Sequence, residues 1–521
     1  MALKRDSYKA LEDVVGPENI SEDLAILEGY TYQPMGEGIF SGRFGNRPEA
    51  VVLPDGVKEV QAIIKLCNRL DIKAKAFCTG YGAHTTAGSP GTILLDLRRM
   101  NRILDFDEKN MFMLVEPYVS FAQVQAEAMK RGLNINVIGA GSQTSVLASF
   151  TSMHGNNILA ISQSTSGRNM LGVEWVLPTG EIVKLGAAGS NAGWFSGDGP
   201  GPSLRGIVRG AEGALGGLGV FTKCAAHLHP WPGPSEMEVN EISPDYDAEL
   251  PLYFEYHICE FPTYEQYGEA IAKIGAAGIG YALHKTGGPG THGGCVTGSN
   301  NEYYEKRETG QYAIPWKSFS LVMAAAGPEE HAFQVKTLAA ILDETGGVIS
   351  PIGEDPLFKK RDFLTMIKSC FIPRLAFRPT GIFCVDGIVG METVEHAAYV
   401  LKTDETHRNE YAQKGVIMDD GTINSWGVSF EGSHFALTEC GHPFGSLNQD
   451  SINGMMEMMM KGRDICTKNS FAISWSLMGD MDMQNIAPLC FNYQNWMKKI
   501  KKTFDPNIVS DPKMYVTPDK E

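Results

Sequence analysis

A chain of 521 residues is too long for one ordinary hydrophobic core, so two or three domains are expected. Apolar residues at 43% and charged residues at 20% are ordinary for a soluble globular protein, and 58 glycines suit many tight turns and close backbone approaches. A formal net charge of −16 argues against a general nucleic-acid or anionic-membrane partner. The start, Met1-Ala2-Leu3-Lys4-Arg5-Asp6, has no apolar signal core, and no run approaches the roughly 18 apolar residues of a membrane span. A cytoplasmic protein is therefore expected. The ten cysteines (67, 78, 224, 259, 295, 370, 384, 440, 466 and 490) form no Cys-x-x-Cys pair, which disfavours an iron–sulfur cluster or structural zinc. They read as buried thiols of a reducing compartment.

In chain order, residues 1–40 read as a helical preamble. Arg47-Pro48-Glu49-Ala50-Val51-Val52-Leu53-Pro54 is a short strand ended by proline. From Val57 to Cys67 the apolar residues recur at helical spacing, which predicts an amphipathic helix. An extended run, 72–77, leads into Cys78-Thr79-Gly80-Tyr81-Gly82-Ala83-His84-Thr85-Thr86-Ala87-Gly88, and a buried-type strand, 92–97, follows. Glycines let this backbone turn tightly and bring N–H groups near a ligand, and the hydroxyls beside them add donors. The segment reads as a diphosphate cradle, against the plainer alternative of a glycine turn between strands. It lacks Gly-x-x-x-x-Gly-Lys-Ser/Thr, and no good helix with an acid about 20 positions on follows it, so neither a P-loop nor a Rossmann site fits. Next come a strand at 111–117, a helix at 121–129, a hairpin over 171–183 with its turn at Pro178-Thr179-Gly180, and a strand opening at Gly219-Val220-Phe221-Thr222-Lys223.

In this order the pieces resemble the FAD-binding domain of the vanillyl-alcohol oxidase superfamily, the p-cresol methylhydroxylase (PCMH) type of FAD-linked oxidase. Aryl-alcohol oxidases and flavin-dependent 2-hydroxy-acid dehydrogenases belong to it. The resemblance covers roughly residues 40–230 and returns at Met497-Lys498-Lys499-Ile500-Lys501-Lys502-Thr503-Phe504-Asp505-Pro506-Asn507, which looks like the family's closing helix and turn. It implies an α+β fold: a two-lobed FAD-binding domain over 41–230, and a cap or substrate domain over 231–455 with an antiparallel sheet covered by helices. Residues 456–521 would return to the FAD domain. Pro230-Trp231-Pro232-Gly233-Pro234 is a stiff junction at the predicted exit. Within the cap, strands near 252–256 and 380–385 alternate with helices near 328–344 and 392–402, and 287–294 is a glycine-rich loop. The methionine run of the 455–467 helix reads as irregular core packing.

The resemblance implies FAD as cofactor, with its diphosphate on Thr79, Gly80, Tyr81, Gly82, Ala83, His84 and Thr85. Position 79 is commonly arginine in the family, so Thr79 removes a possible positive partner. A second flavin segment runs from Gly141 to Gly155 and contributes Gly141, Ser142, Ser145, Ser149, Ser152, His154 and Gly155. Gly219 and Val220 would hold the adenine end. Some relatives link flavin covalently to a loop histidine, whose position falls on Ala83; His84 is one place off and reads as a hydrogen-bonding neighbour.

Catalysis requires a group that takes the substrate's proton, and His154, His434, His442 and Tyr493 are the candidates. Arg374 and Arg378 could clamp a carboxylate in a bidentate fork, or each make a surface ion pair, and Arg463 could stabilise charge near the flavin. The metal-binding motifs of the hydroxy-acid relatives are not intact here. No metal is expected, although His434 and His442 with Glu431 or Glu439 remain an alternative. The resemblance thus implies an FAD-dependent dehydrogenase or oxidase acting on the C–OH or activated C–H of a small aromatic-alcohol, phenolic or 2-hydroxy-acid substrate. Its electrons would pass to oxygen, a quinone, an electron-transferring flavoprotein or an iron–sulfur protein, and a homodimer is expected. A flavoprotein subunit of an electron-transfer complex, and non-redox flavin use as in alkyl-dihydroxyacetone-phosphate synthase, are the competing readings.

Overall fold

The structure is a computed structural model. It describes residues 3–32, 45–80, 85–139, 141–153, 155–195, 198–199, 201, 203–209, 213–242, 245–285, 297–309, 316–368, 383–418, 425–471 and 479–519. The 287–294 loop, Tyr81, Gly82, Ala83, His84, His154, Arg374 and Arg378 lie outside the described residues. Among the described residues no helix is long and apolar enough to cross a membrane.

Three large sheets organise the chain. In the first, the strands run in the order Ile20–Ser21, Val51–Val52, Thr92–Asp96, Lys73–Phe77. The last three are parallel, with Val51 opposite Leu94 and Lys73–Phe77 opposite Thr92–Asp96. The Val57–Leu70 helix is the crossover from Val51–Val52 to Lys73–Phe77, which flank Thr92–Asp96. Its buried residues Val60, Ile63, Ile64 and Cys67 are the stripe read from the sequence, and they pack with Ile93, Leu95 and with Leu11 and Val15 of the Arg5–Val15 helix.

The second sheet is antiparallel, in the order Ile103–Asp107, Phe112–Val115, Val220–His227, Met170–Val176, Ile182–Leu185. The Phe121–Met129 helix beside it begins at a capping box made by Ser120 and Gln123. Trp175 is fully buried, stacked between Phe221 (5.2 Å) and Phe504 (5.4 Å), with its indole N–H on the Leu218 carbonyl at 2.6 Å. Phe504 ends the Tyr493–Phe504 helix.

The third sheet has seven antiparallel strands, in the order Val348–Ile349, Phe254–Glu260, Ser318–Ala324, Ala282–Lys285, Ser425–Phe430, Phe435–Pro443, Phe383–Glu392. Helices Tyr264–Ala277, Pro328–Thr345 and Val394–Gln413 cover one face, packing on Leu283, Phe319, Leu321 and Ala436. The opposite face carries Tyr256, Ile258, Ala282, Val322, Val428 and Leu437, which pack with Ile158, Leu159, Ala160 and Trp231. Backbone bonds stitch this seam: the N–H groups of Leu283, Glu431 and Gly432 donate to the carbonyls of Ile158 (3.0 Å), Ala160 (3.1 Å) and Ile161 (2.8 Å).

His229 precedes this junction, and its Nε2 lies 2.7 Å from Asn169 Oδ1. Burial, aided by the neighbouring His227, pushes its pKa down to about 3. Between pH 6.5 and about 3 the unfolded chain therefore binds a proton that the folded chain refuses, and stability falls as pH falls through that window. Between pH 7 and pH 4.5 the wild type should lose about 2 kcal/mol more than a His229→Gln variant, measured by urea unfolding.

Candidate functional site

The glycine loop leaves the strand Lys73–Phe77 through Gly80, at φ +74, where a Cβ would lie 2.7 Å from Phe77 Cζ. Only glycine fits that turn without displacing the ring. Thr79 flanks it, partly buried. At the far end the Thr85 and Thr86 hydroxyls are buried and, among the described residues, have no hydrogen-bond partner. Beyond them Asp511 takes the Gly88 and Ser89 N–H groups at 2.6 and 3.1 Å and the Ser89 hydroxyl at 2.7 Å. Lys75 was not anticipated from the sequence. Its ammonium is buried beneath the loop and donates to the Thr86 carbonyl at 2.8 Å. Burial pushes its pKa down to about 8, against the pull of Asp511. A cation thus sits under the loop even though Thr79 replaces an arginine.

The second segment lies against the first. The Cys78 thiol lies near Ser145, and burial pushes its pKa up to about 12 against the opposing influence of that hydroxyl. Ser145 also caps the Val146–Thr151 helix, accepting from the Ala148 N–H at 3.0 Å, and donates to the Pro117 carbonyl. Gly141 adopts φ +128, and the Ser142 carbonyl accepts from the Ala122 N–H at 2.8 Å. Ser149 is buried, and the Ser152 hydroxyl lies 3.3 Å from that of Thr151. A Cβ on Gly155 would fall 2.0 Å from Ile138 Cγ2, so this stretch passes its neighbours at backbone distance. Asn136 Oδ1, Asn156 Nδ2 and Asn157 Oδ1 are buried around it without hydrogen-bond partners among the described residues. Orphaned hydroxyls, an orphaned amide N–H group, two orphaned amide oxygens and glycine turns on these segments supply both donors and acceptors, as a dinucleotide with a flat polar ring requires.

Gly219 and Val220 have other partners. Gly219 turns at φ +84, where a Cβ would meet the Val176 carbonyl at 2.3 Å, and its N–H donates to Ser510 Oγ at 2.8 Å. Val220 pairs with Val176 and packs into the core of the first sheet. The Gly219 amide is thereby committed within the protein.

The proposed catalytic residues are not brought together. His434 stands in the turn before the strand Phe435–Pro443 and His442 near that strand's end. Eight residues of extended chain separate them by about 26 Å. A metal shared by both is therefore ruled out by strand geometry, which corrects that alternative. Among the described residues no three His, Cys, Asp or Glu side chains converge to hold a metal. His442 is buried 3.7 Å from Asp404 of the Val394–Gln413 helix, on the helix-covered face of the large sheet. Tyr493 opens the closing helix and is 46% exposed, in a third place. Arg463 pairs with buried Asp482 at 2.8 Å, tying the Gln449–Lys468 helix to Gly479–Asn485.

On the seam-facing side of the large sheet lies a polar group the sequence did not single out. His284 sits in the row Ile258, Ser320, His284, Val428, Leu437. It is buried, 3.9 Å from Asp362 Oδ2, which also accepts the Tyr256 hydroxyl at 2.7 Å. Burial works against ionisation of Asp362, but His284, Tyr256 and Ser320 outweigh it and hold the pKa below the usual carboxylate range. The four residues come from distant segments with no common motif, so no sequence signal announced them.

A family model described as FAD binding domain matches residues 48–186. Residues 79–155, with the glycine loop and the 141–155 segment, fall inside that match. Residues 48–186 thus match an FAD binding domain, and the chain is similar to FAD-linked oxidoreductases. FAD is its cofactor. The PCMH-type fold extends over the whole chain. A solved p-cresol methylhydroxylase with substrate bound aligns with a TM-score of 0.73 at 15% identity, covering 98% of this chain and 96% of that one. A 4-ethylphenol oxidase from Gulosibacter chungangensis aligns at 0.71 and 17% identity, covering 99% and 97%. Among curated relatives, D-lactate dehydrogenase of Anaerostipes hadrus is 28% identical over 252 residues, which is 47% of this chain and 49% of the relative. The chain thus spans about half the length of the curated relatives it matches.

Proposed function

We propose that this PCMH-type protein is an FAD-dependent dehydrogenase or oxidase that removes hydride from the C–OH or activated C–H of a small aromatic-alcohol, phenolic or 2-hydroxy-acid substrate. The observation that carries the reading is the set of buried, unsatisfied polar atoms at Thr85 and Thr86 and at Asn156 and Asn157, the latter just before the seam that residues 158–161 make with the large sheet. Bound FAD supplies the hydride acceptor, at its N5. Backbone N–H groups from Thr79 to Thr85 would hold the diphosphate, with Lys75 beneath them. The segment from Gly141 to Gly155 would carry the ring, and the large sheet would exclude water from the reacting centre. A histidine or tyrosine at the seam would take the substrate's proton, with His154 the candidate nearest the flavin segment in sequence.

The test begins with an absorbance spectrum, looking for flavin bands at about 370 and about 450 nm, followed by acid precipitation. Flavin in the supernatant is expected, as a non-covalent cofactor. Anaerobic addition of D-lactate, glycolate or 4-cresol should then bleach the longer-wavelength band with one of them. Admitting oxygen, or a quinone, identifies the acceptor by which one restores it. No flavin as purified, and none regained on adding FAD, overturns the reading.

A further inference from the structure

The large sheet turns one buried histidine toward the seam. Side chains alternate along a strand, and Leu283 packs under the covering helices, so His284 faces the opposite side, where Ile158, Leu159 and Ala160 close on the sheet. His284 is 4% exposed, and among the described residues neither of its ring nitrogens has a hydrogen-bond partner. A neutral imidazole carries one donor and one acceptor, and leaving both unmade in burial is unfavourable. The Leu283 N–H donates to the Ile158 carbonyl at 3.0 Å, which puts His284 one residue from the chain that leaves the 141–155 segment. Asn156 and Asn157, just upstream of Ile158, also keep unsatisfied amide atoms. Unmet polar groups thus stand on both sides of that one backbone bond.

Asp362 gives this histidine a direction. Its Oδ2 lies 3.9 Å from His284 Nε2 and accepts the Tyr256 hydroxyl at 2.7 Å, and that hydroxyl lies 3.4 Å from Ser320 Oγ. A carboxylate facing Nε2 favours the tautomer with its proton there, which leaves the Nδ1 lone pair as the acceptor. An oriented base needs these parts: a histidine, a group that fixes its tautomer, and a lone pair not already taken. The row beside it is aliphatic, with Ile258, Val428 and Leu437 on the neighbouring strands. A substrate carboxylate buried here would meet the like charge of Asp362, whereas a neutral hydroxyl on an aromatic ring would not.

We propose that His284, oriented by Asp362, is the base that takes the hydroxyl proton of a phenol or aromatic alcohol at this seam. The inference rests on the oxidoreductase reading and narrows its substrate to the aromatic class. The substrate's O–H bond breaks and its proton goes to His284 Nδ1. The hydride leaves the substrate's carbon with both electrons for the flavin. Asp362 stays a carboxylate and offsets the charge of the imidazolium that forms.

The test uses the FAD-loaded full chain without oxygen. 4-Nitrophenol is titrated first, read as a difference spectrum at a pH below its own pKa, where the free compound is the colourless phenol. On the wild type it should turn to the yellow phenolate, its proton held by His284. His284→Gln should bind it only as the colourless phenol. Asp362→Asn should reduce the yellow form about tenfold, and it keeps the test decisive if His284→Gln does not retain FAD. A wild type that forms no phenolate overturns the assignment, as does equal phenolate in the variants. Of D-lactate, glycolate and 4-cresol, 4-cresol should bleach the flavin band. His284→Gln should slow that bleaching about a hundredfold with KM changed less than about threefold. Free imidazole should restore part of the rate to His284→Gly, which a merely structural role would not allow. Bleaching by D-lactate or glycolate and not by 4-cresol overturns the aromatic assignment. A wild type that ionises 4-nitrophenol but is bleached by none of the three sinks the oxidoreductase reading and leaves the base in place.

Discussion

Lys501→Met is expected to cost about 3–5 kcal/mol of stability, among the largest losses available to a single substitution in this chain. The Lys501 ammonium has no solvent exposure, and all three of its protons are placed: on Gly217 O at 2.7 Å, Asp505 Oδ2 at 2.6 Å and Ser510 O at 2.8 Å. Asp505 in turn accepts the N–H groups of Val509 (2.7 Å) and Ser510 (2.9 Å). Burial lowers the Lys501 pKa, and Asp505 and Asp511 oppose it, so the charge persists because its partners are fixed. Methionine would fill the space but strand two carbonyls and a buried carboxylate. Urea unfolding followed by near-UV circular dichroism measures the loss. A Lys501→Met, Asp505→Leu double variant should recover part of it, because no unpaired charge remains. A double variant as damaged as the sum of its singles would show that the pair is not coupled.

This network also explains what the sequence could and could not reveal. The amphipathic Val57–Leu70 helix, the capped Phe121–Met129 helix and the Pro178-Thr179-Gly180 hairpin are local, and their periodicity and turn residues are sufficient to read them. Lys75 and Lys501 were not legible, because a lysine reads as surface unless its partners are known, and Asp511 and Gly217 lie hundreds of residues away in the chain. His434 and His442 misled in the opposite way. Nearness in sequence suggested a shared site, but an extended strand carries them to opposite ends. The order of the seven strands, and with it the meeting of His284 with Asp362, follows from non-local pairing that no window of sequence contains.

Asp511→Ala should separate cofactor retention from folding. Asp511 is fully buried and holds the far end of the glycine loop through three bonds, from Gly88 N, Ser89 N and Ser89 Oγ. Its own backbone N–H donates to Ala74 O at 3.2 Å, and the Ala74 N–H donates to Val509 O at 2.8 Å. The end of the chain thereby runs alongside the strand that delivers the loop. Alanine would release two loop N–H groups and a hydroxyl, and would leave the buried Lys75 ammonium without the carboxylate that favours its charge. Two consequences follow from different bonds. Stability should drop by about 3 kcal/mol through the unpaired buried groups. The loop, no longer fixed at Gly88 and Ser89, must be ordered by the cofactor itself, so FAD affinity should fall roughly tenfold or more. Stability of the FAD-free protein by urea unfolding, and FAD affinity by fluorescence titration, read the two separately. An Asp511→Ala, Lys75→Met double variant should regain stability but not FAD affinity, since it removes the stranded charge without restoring the loop anchor. If both recover together, Lys75 is only the counter-charge of Asp511 and contributes nothing to the cofactor. If neither recovers, the loss comes from the freed loop amides alone.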